Sequence, residues 1–369
     1  MRKAFKYRLF TNKTQETKLE KLFDSARFLY NCALEHRMVY WKQWRKSVNY
    51  YDQANTIKEI RSFDEGIAQL NYSASQDILR RLDKSFQAFF RRLKLGDKPG
   101  FPRFKGRDRF DSITFPSYGD GIRLKNGKLY IQNVGSVRIR VHRDLEGKIK
   151  TLAIKWQNGH FYACFSCDNV IPKILDPCTD EVGIDVGIKS FAVMSNGEVI
   201  DNPKYLKQSE DKLKDLQRKH SEKRTRKTRK KLSRLHAKVG NQRKDFLHKL
   251  SRNIVNRFGF IFVEALKPKQ MVNGNHRILN KYINDAAWAM FFGCLQYKAE
   301  WAGRAFVKVN PKGTTQSCSN CGVIVPKDLS IRVHDCPCGF KTSRDHNAAL
   351  NILRLGHSLC FTQEAVCFS

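Results

Sequence analysis

Glu181-Val-Gly-Ile-Asp-Val-Gly-Ile-Lys-Ser-Phe-Ala-Val-Met194 is the stretch whose reading decides the fold. Val182 to Ile184 is a short apolar run of the kind that forms a buried strand, and Asp185 puts a carboxylate at its end. Gly187 lets the backbone turn. Ser190–Met194 and Glu198–Ile200 flank Ser195-Asn-Gly197, a two-strand turn signal. Two further acids occur in matching contexts. Glu264 ends the apolar run Phe258-Gly-Phe-Ile-Phe-Val263, and Asp345 opens the helical stretch Asp345-His-Asn-Ala-Ala-Leu-Asn-Ile-Leu353. Acids delivered by two strand ends and a helix start can converge on one spot.

A strand carrying an Asp and followed by a hairpin is how a ribonuclease-H-like fold begins. Asp185, Glu264 and Asp345 are therefore the expected catalytic residues. Two divalent ions held about 4 Å apart can position a scissile phosphate, activate water and stabilise the leaving oxygen. Hard oxygen ligands suit Mg²⁺ or Mn²⁺.

Composition points to a polyanion. Lys and Arg number 69 against 35 Asp and Glu, a formal charge of +34, and phosphate neutralisation with counterion release drives binding of such chains to nucleic acid. A basic membrane-surface protein is the competing reading, but no apolar run approaches the roughly 20 residues a bilayer span needs. The start, Met1-Arg-Lys-Ala-Phe-Lys-Tyr, lacks the apolar segment of a secretory signal. Eleven cysteines, an odd number in a long chain, suit reduced thiols better than disulfides. A prokaryotic cytoplasmic, nucleoid-associated protein is the matching expectation.

Phe5, Tyr7 and Leu9 alternate with Lys6 and Arg8 as one half-buried strand. Asn12 and Gln15 fit a capping box. Leu19, Leu22, Phe23, Ala26, Leu29, Tyr30 and Ala33 then mark a helix face running towards Trp41. A second helix is expected from about Ser75 to Leu95, with Ile78, Leu82, Phe86, Phe89 and Leu93 inside and Gly96 as its stop. Its other face carries Arg80, Arg81, Lys84, Arg91 and Arg92.

The following Pro99-Gly-Phe-Pro-Arg-Phe-Lys-Gly-Arg-Asp-Arg-Phe110 interleaves Arg103, Lys105 and Arg107 with aromatics, the mixture that single strands need for stacking and phosphate contact. From Ser112 to Asp168 short strands with hairpin signals at Asn126-Gly127 and Asn158-Gly159 read as a small barrel or sandwich. Cys164 and Cys167 lie on one of these strands, where they face opposite sides and pack rather than bind metal. Ile171–Pro177 reads as a linker.

Between Lys204 and Arg257, 20 Lys and Arg face only 5 Asp and Glu. Leu206, Leu213 and Leu216 mark one helix face there, and Leu232, Leu235, Val239, Phe246, Leu250 and Ile254 another. A helical hairpin bent near Lys223–Lys230 is expected, with Lys223, Arg224, Arg226, Lys227, Arg229 and Lys230 contacting phosphates. Further on come Cys318-Ser-Asn-Cys321-Gly and Cys336-Pro-Cys338-Gly, with fourteen residues between Cys321 and Cys336. Four thiols in two tight pairs, each followed by Gly, match a structural Zn²⁺ ribbon.

The order of Gly-Ile-Asp-Val-Gly-Ile-Lys, Phe-Val-Glu-Ala-Leu, a Cys-x-x-Cys ribbon and Arg-Asp-His-Asn-Ala-Ala-Leu-Asn-Ile resembles the TnpB family, transposon-encoded RNA-guided endonucleases related to type V CRISPR effectors. Leu29–Leu34, Pro99–Lys105 and Asn241–Leu250 share that likeness, which covers nearly the whole chain. The resemblance implies an α+β multidomain protein with a helical recognition lobe over 11–110. A β-barrel wedge domain would be built from 1–10 and 111–175. A RuvC-type α/β nuclease domain would span 180–312 and 344–369, carrying the basic hairpin 204–257 and a zinc ribbon inserted at 313–343.

Asp185, Glu264 and Asp345 would then be RuvC-type acids on Mg²⁺ or Mn²⁺, and Cys318, Cys321, Cys336 and Cys338 zinc ligands. The implied partners are a guide RNA and double-stranded target DNA, cleaved next to a short flanking motif. One departure from the family stands out: its second knuckle is usually Cys-Pro-x-Cys-Gly, and here one residue is missing. His334 is therefore open as a substitute ligand. The tail from Gly356 to Ser369 carries no usable motif. The alternatives are a transposition protein that itself joins strands, against which the absence of any His-x-His pair counts, and a guided DNA-binding protein that does not cut.

Overall fold

The computed structural model describes residues 1–266, 271–272, 277–328 and 330–367. It forms two compact units that divide between Ile171 and Pro172, inside the expected linker.

The first unit opens with β1 (Lys3–Phe10), then four helices, α1 (Lys13–Trp44), α2 (Tyr50–Phe63), α3 (Glu65–Ala68) and α4 (Tyr72–Lys94). Six strands follow: β2 (Ser112–Phe115), β3 (Ile122–Lys125), β4 (Lys128–Ile131), β5 (Gly135–Arg140), β6 (Lys148–Gln157) and β7 (His160–Asp168). All seven strands form one antiparallel sheet, a nearly closed barrel, in the order β2-β6-β7-β1-β5-β4-β3. The first strand made is thus the central one. Phe5, Tyr7 and Leu9 are buried, and the Met1 ammonium donates to the Val170 carbonyl at 3.1 Å. Both hairpin turns put Asn then Gly at positive φ (49° and 67° at Asn126-Gly127; 53° and 87° at Asn158-Gly159), as a tight two-residue turn requires. Cys167 faces the core and Cys164 the other side of β7.

The Asn12–Gln15 capping box is formed from both sides, and every residue of the expected α1 face is buried. Buried Arg37 ties the helices together, donating to Gln53 at 2.8 Å and Asp83 at 3.1 Å. The α4 face departs from expectation. Ile78 and Leu82 are buried, but Phe86 and Phe89 are only half-buried against Phe101, and Leu93 is 56% exposed. Amphipathic spacing marks an apolar side without supplying a cover for all of it. Gly96, at φ 72°, ends the helix where expected, with Asp97 N donating to the Arg92 carbonyl at 3.0 Å.

In the second unit β8 (Glu181–Val186), β9 (Ser190–Met194) and β10 (Val199–Asp201) form an antiparallel meander. Next come α5 (Tyr205–Gln208), α6 (Glu210–Glu222) and α7 (Arg226–Arg257), then β11 (Phe260–Glu264), α8 (Arg277–Ala286), α9 (Trp288–Ala302) and β12 (Ala305–Val309). The chain closes with β13 (Val333–Asp335), β14 (Lys341–Ser343) and α10 (Arg344–Cys367), so the tail from Gly356 continues a helix as far as Cys367. The sheet runs β10-β9-β8-β11-β12, with β8, β11 and β12 parallel. The basic hairpin bends at residues 223–225, at the N-terminal edge of the expected bend.

Helices cover both faces of this sheet, as parallel strands demand. Val182, Ile184, Ile261 and Val263 pack with Leu247, Ile254, Phe291 and Leu295 from α7 and α9. The opposite face carries α10, with Phe262, Val309 and Ile352 in its core. That helix comes unusually close. A Cβ on Gly183 would lie 2.2 Å from the Ala349 carbonyl oxygen and 2.6 Å from Leu353 N, both rigid backbone. Among the described residues no helix is long and apolar enough to cross a membrane.

Gly183→Ala should therefore destabilise the second unit by about 1–3 kcal/mol, the usual cost of overpacking. Gly240→Ala, in α7 where an added Cβ meets nothing within 4 Å, should stabilise by about 0.5–1 kcal/mol through helix propensity. Denaturant melts of both variants check the pair, and a neutral Gly183→Ala would refute the close-packing account.

Candidate active site and metal centre

Strand alternation puts the acids on one side of the sheet. In β8 the even-numbered Val182 and Ile184 face α7 and α9, so Gly183 and Asp185 face α10. In β11 Ile261 and Val263 face the first side and Phe262 the second, which places Glu264 with Phe262. The strands run parallel, with Phe262 beside Gly183 and Val263 beside Ile184; one step further sets Glu264 beside Asp185. Asp345 lies in the first turn of α10, the helix seated on this face.

Electrostatics reflects the convergence. The Asp185 carboxyl is held well above the usual carboxylate range, first by burial and then by the neighbouring charges of Glu264 and Asp345, with Arg344 opposing. Burial also raises Glu264, and its hydrogen bond from Thr314 partly offsets this. Carboxylates brought together with little water resist joint ionisation unless a cation joins them. Arg344, 3.4 Å from Asp345 Oδ1, supplies one positive charge, and the clustered oxygens are the donor set that suits a hard divalent ion.

Residues that the sequence reading passed over hold these acids in place. His346 Nε2 lies 3.1 Å from the Ser195 carbonyl, and Ser195 Oγ accepts from Gly183 N at 3.1 Å, so the start of α10 is fastened to the β8–β9 hairpin. Thr314 Oγ1 donates to Glu264 Oε1. Asn351 Nδ2 donates to the carbonyls of Thr314 at 2.9 Å and Ser317 at 2.7 Å. Asn347 donates to Ser317 O at 2.8 Å and accepts from Ser319 N at 2.9 Å. Two Asn four apart inside a helix were the available signal, since Asn is a poor helix former unless its amide is used.

Among the described residues, Cys318, Cys321, Cys336 and Cys338 are the one group of three or more whose candidate metal-ligating atoms all lie within 4.8 Å of one another; the three acids do not form such a group, and His334 lies outside the cysteine group. The Sγ atoms of Cys318 and Cys338 are 3.8 Å apart, and those of Cys321 and Cys336 3.5 Å. A tetrahedral Zn²⁺ with Zn–S near 2.3 Å would set sulfurs about 3.8 Å apart, so the donors fit that ion. Gly322 and Gly339 take φ of 82° and 86°, turning the chain back after each pair. The Cys338 thiol is drawn down to about 6 by the Phe340 backbone N–H and by Cys336, while Cys336 is itself pushed up to about 12, so the neighbouring thiols share their protons. Buried His334 instead contacts Lys327 and tilts against Phe340.

The expected nucleic-acid cations differ among themselves. Lys223, Arg224, Arg226, Lys227, Arg229 and Lys230 are all exposed at the α6–α7 junction. Lys84 and Arg103 are exposed, and Arg80 lies over the Tyr50 ring at 5.1 Å. Lys105 Nζ sits 5.5 Å from the Tyr30 ring centroid, and Arg107 reaches Glu20 at 3.2 Å. Arg81 departs from the expectation. Its guanidinium is bound to Asp77 at 3.0 Å and the Ser112 carbonyl at 2.7 Å, fastening α4 to β2, because α4 packs directly on that strand.

Family models match in chain order. A "Helix-turn-helix domain" of the OrfB/IS605 type covers residues 1–46, "Probable transposase" residues 175–274, and "Cas12f1-like, TNB domain" residues 288–352. Within 1–46 the structure has one strand and one unbroken 32-residue helix in place of a helix-turn-helix. A Streptomyces pristinaespiralis protein, provisionally named an RNA-guided DNA endonuclease, is 31% identical over 370 residues, covering 96% of this chain and 90% of its own. InsQ of Escherichia coli K12, named likewise, is 28% identical over 388 residues, covering 98% and 94%. The TnpB-like protein L79 of Acanthamoeba polyphaga mimivirus is 31% identical over 227 residues, covering 56% and 43%. These likenesses span nearly the whole chain and all lie among proteins of transposon-associated families. The chain belongs to the TnpB family.

Because Asp185 is raised in the folded state, its contribution to stability is fully present below the unfolded value and is lost as pH rises through the folded value. Above the unfolded value the acid is therefore a burden on the metal-free protein. Asp185→Asn should raise the melting temperature by a few degrees at pH 7 without Mg²⁺ or Mn²⁺, and flatten the acid-side pH dependence. A lower melting temperature for Asp185→Asn would contradict this electrostatic account.

Proposed function

We propose that this protein is an RNA-guided DNA endonuclease whose catalytic centre is Asp185, Glu264 and Asp345 on a RuvC-type, ribonuclease-H-like domain. The observation that carries the reading is the alternation of β8 and β11, which turns Asp185 and Glu264 to the side where α10 brings Asp345. A meander joined to two parallel strands, ordered β10-β9-β8-β11-β12, supports the fold assignment. The names of the full-length relatives support guided cleavage of DNA.

On this reading the three acids hold Mg²⁺ or Mn²⁺, which supplies activation of water and stabilisation of the departing phosphate oxygen. Arg344 moderates the negative charge next to Asp345, and the buried surroundings of Glu264 keep bulk water from competing for its oxygens. The four cysteines hold a structural Zn²⁺ in a ribbon over 313–343, within the nuclease domain 180–312 and 344–369. The helices of 11–110 form the recognition lobe, and β1 with 111–175 the wedge. A guide RNA specifies the double-stranded target by pairing, while the protein grips backbone and reads a short flanking motif.

Asp185→Ala should leave guided DNA binding unchanged and lower the cutting rate roughly a thousandfold or more, since metal stabilisation amounts to several kcal/mol. Undiminished cutting would remove the active-site assignment. A binding protein that does not cut would show no cleavage even with Asp185 intact and Mg²⁺ or Mn²⁺ supplied.

The exposed cations at the α6–α7 junction are proposed to track phosphates. Replacing Lys223, Arg224, Arg226, Lys227, Arg229 and Lys230 with Gln should flatten the salt dependence of guide-RNA affinity by about 0.7–0.9 per lost contact, without changing the melting temperature. An unchanged slope in a normally folded variant would make this surface a solvated face only.

A further inference from the structure

One side chain of the segment leading into the first cysteine reaches the acids directly. Thr314 is 2% exposed, and its hydroxyl donates to Glu264 Oε1. The Pro311 carbonyl lies 3.1 Å from the same hydroxyl oxygen, but Glu264 Oε1 is the nearer acceptor of its one proton. Thr314 is not free to drift. Its carbonyl is held by Asn351, and the next three residues lead to Ser317, whose carbonyl is held by both Asn347 and Asn351. The residue after Ser317 is Cys318, and Ser319 N is again pinned by Asn347. One helix, α10, thus carries Asp345 and fixes the segment that carries both the Glu264 partner and the first cysteine.

We infer that Thr314 is a positioning residue: its hydroxyl fixes the Glu264 carboxylate for divalent-cation capture, and the 314–319 segment fastened to α10 holds it there. The inference rests on the reading of Asp185, Glu264 and Asp345 as a cation site. A carboxylate held by one donated hydrogen bond keeps its rotation fixed and its remaining lone pairs for a cation. Without that bond it is free to turn about its own axis, and capture of the ion must then supply the ordering. Groups that orient a metal ligand from behind typically change metal affinity by about 10- to 100-fold when removed. Valine matches threonine in shape and lacks the hydroxyl, whereas serine retains it.

The test is Mn²⁺ binding to the full-length, RNA-free chain by titration calorimetry, with zinc content measured on the same samples. Thr314→Val should bind Mn²⁺ about 10- to 100-fold more weakly while keeping the zinc content of the unaltered chain, and Thr314→Ser should recover most of the affinity. Glu264→Gln should also weaken binding, and adding Thr314→Val to it should cost nothing more, because the hydroxyl acts through that carboxylate.

Unchanged affinity in Thr314→Val would overturn the inference. So would additive losses in the double variant, or loss of zinc in Thr314→Val, each of which would place the hydroxyl's role in the fold instead. If Glu264→Gln itself binds Mn²⁺ normally, the acid-cluster reading fails first, and that outcome is distinct from a failure confined to Thr314.

Discussion

The approach of helix α10 to strand β8 at Gly183 is the constraint on which the second unit depends. Backbone meets backbone there at a distance that no side chain allows. Because the strand has a period of two, Gly183 and Asp185 share a face: Gly183 admits the helix and Asp185 lies towards its first turn. Gly356 repeats the device further along α10, where an added Cβ would lie 2.1 Å from the Phe262 ring. The helix is located at two points along its length, and its N-terminal turn then has little freedom left.

That placement works against electrostatic preference. Burial and mutual repulsion both disfavour the ionised form of Asp185, so bringing the three acids together costs the fold stability. Arg344 beside Asp345 and the Thr314 hydroxyl on Glu264 moderate that cost. The cysteine group is the reverse case. Its soft donors lie close enough for one small ion, and its glycine turns make the pocket from local geometry alone.

What was legible in the sequence was what local chemistry dictates. The strand before Asp185, the Ser195–Gly197 turn, the Asn12 cap, the Gly96 stop and the spacing of the cysteines are each decided within a few residues. The missed features are made by distant partners. Thr314 and Glu264 are 50 residues apart, and Asn351 meets Thr314 across 37, so neither contact has a local pattern. Arg81 looked like its charged neighbours on α4, and only the packing of that helix on β2 separates it from them. Phe86, Phe89 and Leu93 continue an apolar spacing beyond the region that the fold covers. The strand β12 and helices α8 and α9, which complete the parallel sheet and its cover, went unread between stronger motifs.

The central place of β1 has a consequence for the order of synthesis. Residues 3–10 are made well before their partners, residues 138–140 and 162–167. At about 5–20 residues per second, β1 waits roughly 8–30 s for its second neighbour, while the helices between them, rich in local contacts, can already fold. Until residues 138–140 are made it is a strand with two open edges, the kind of segment that pairs with other chains. Lys3, Lys6 and Arg8, set between Phe5, Tyr7 and Leu9, put a positive charge beside each apolar residue and guard the nascent chain against such pairing.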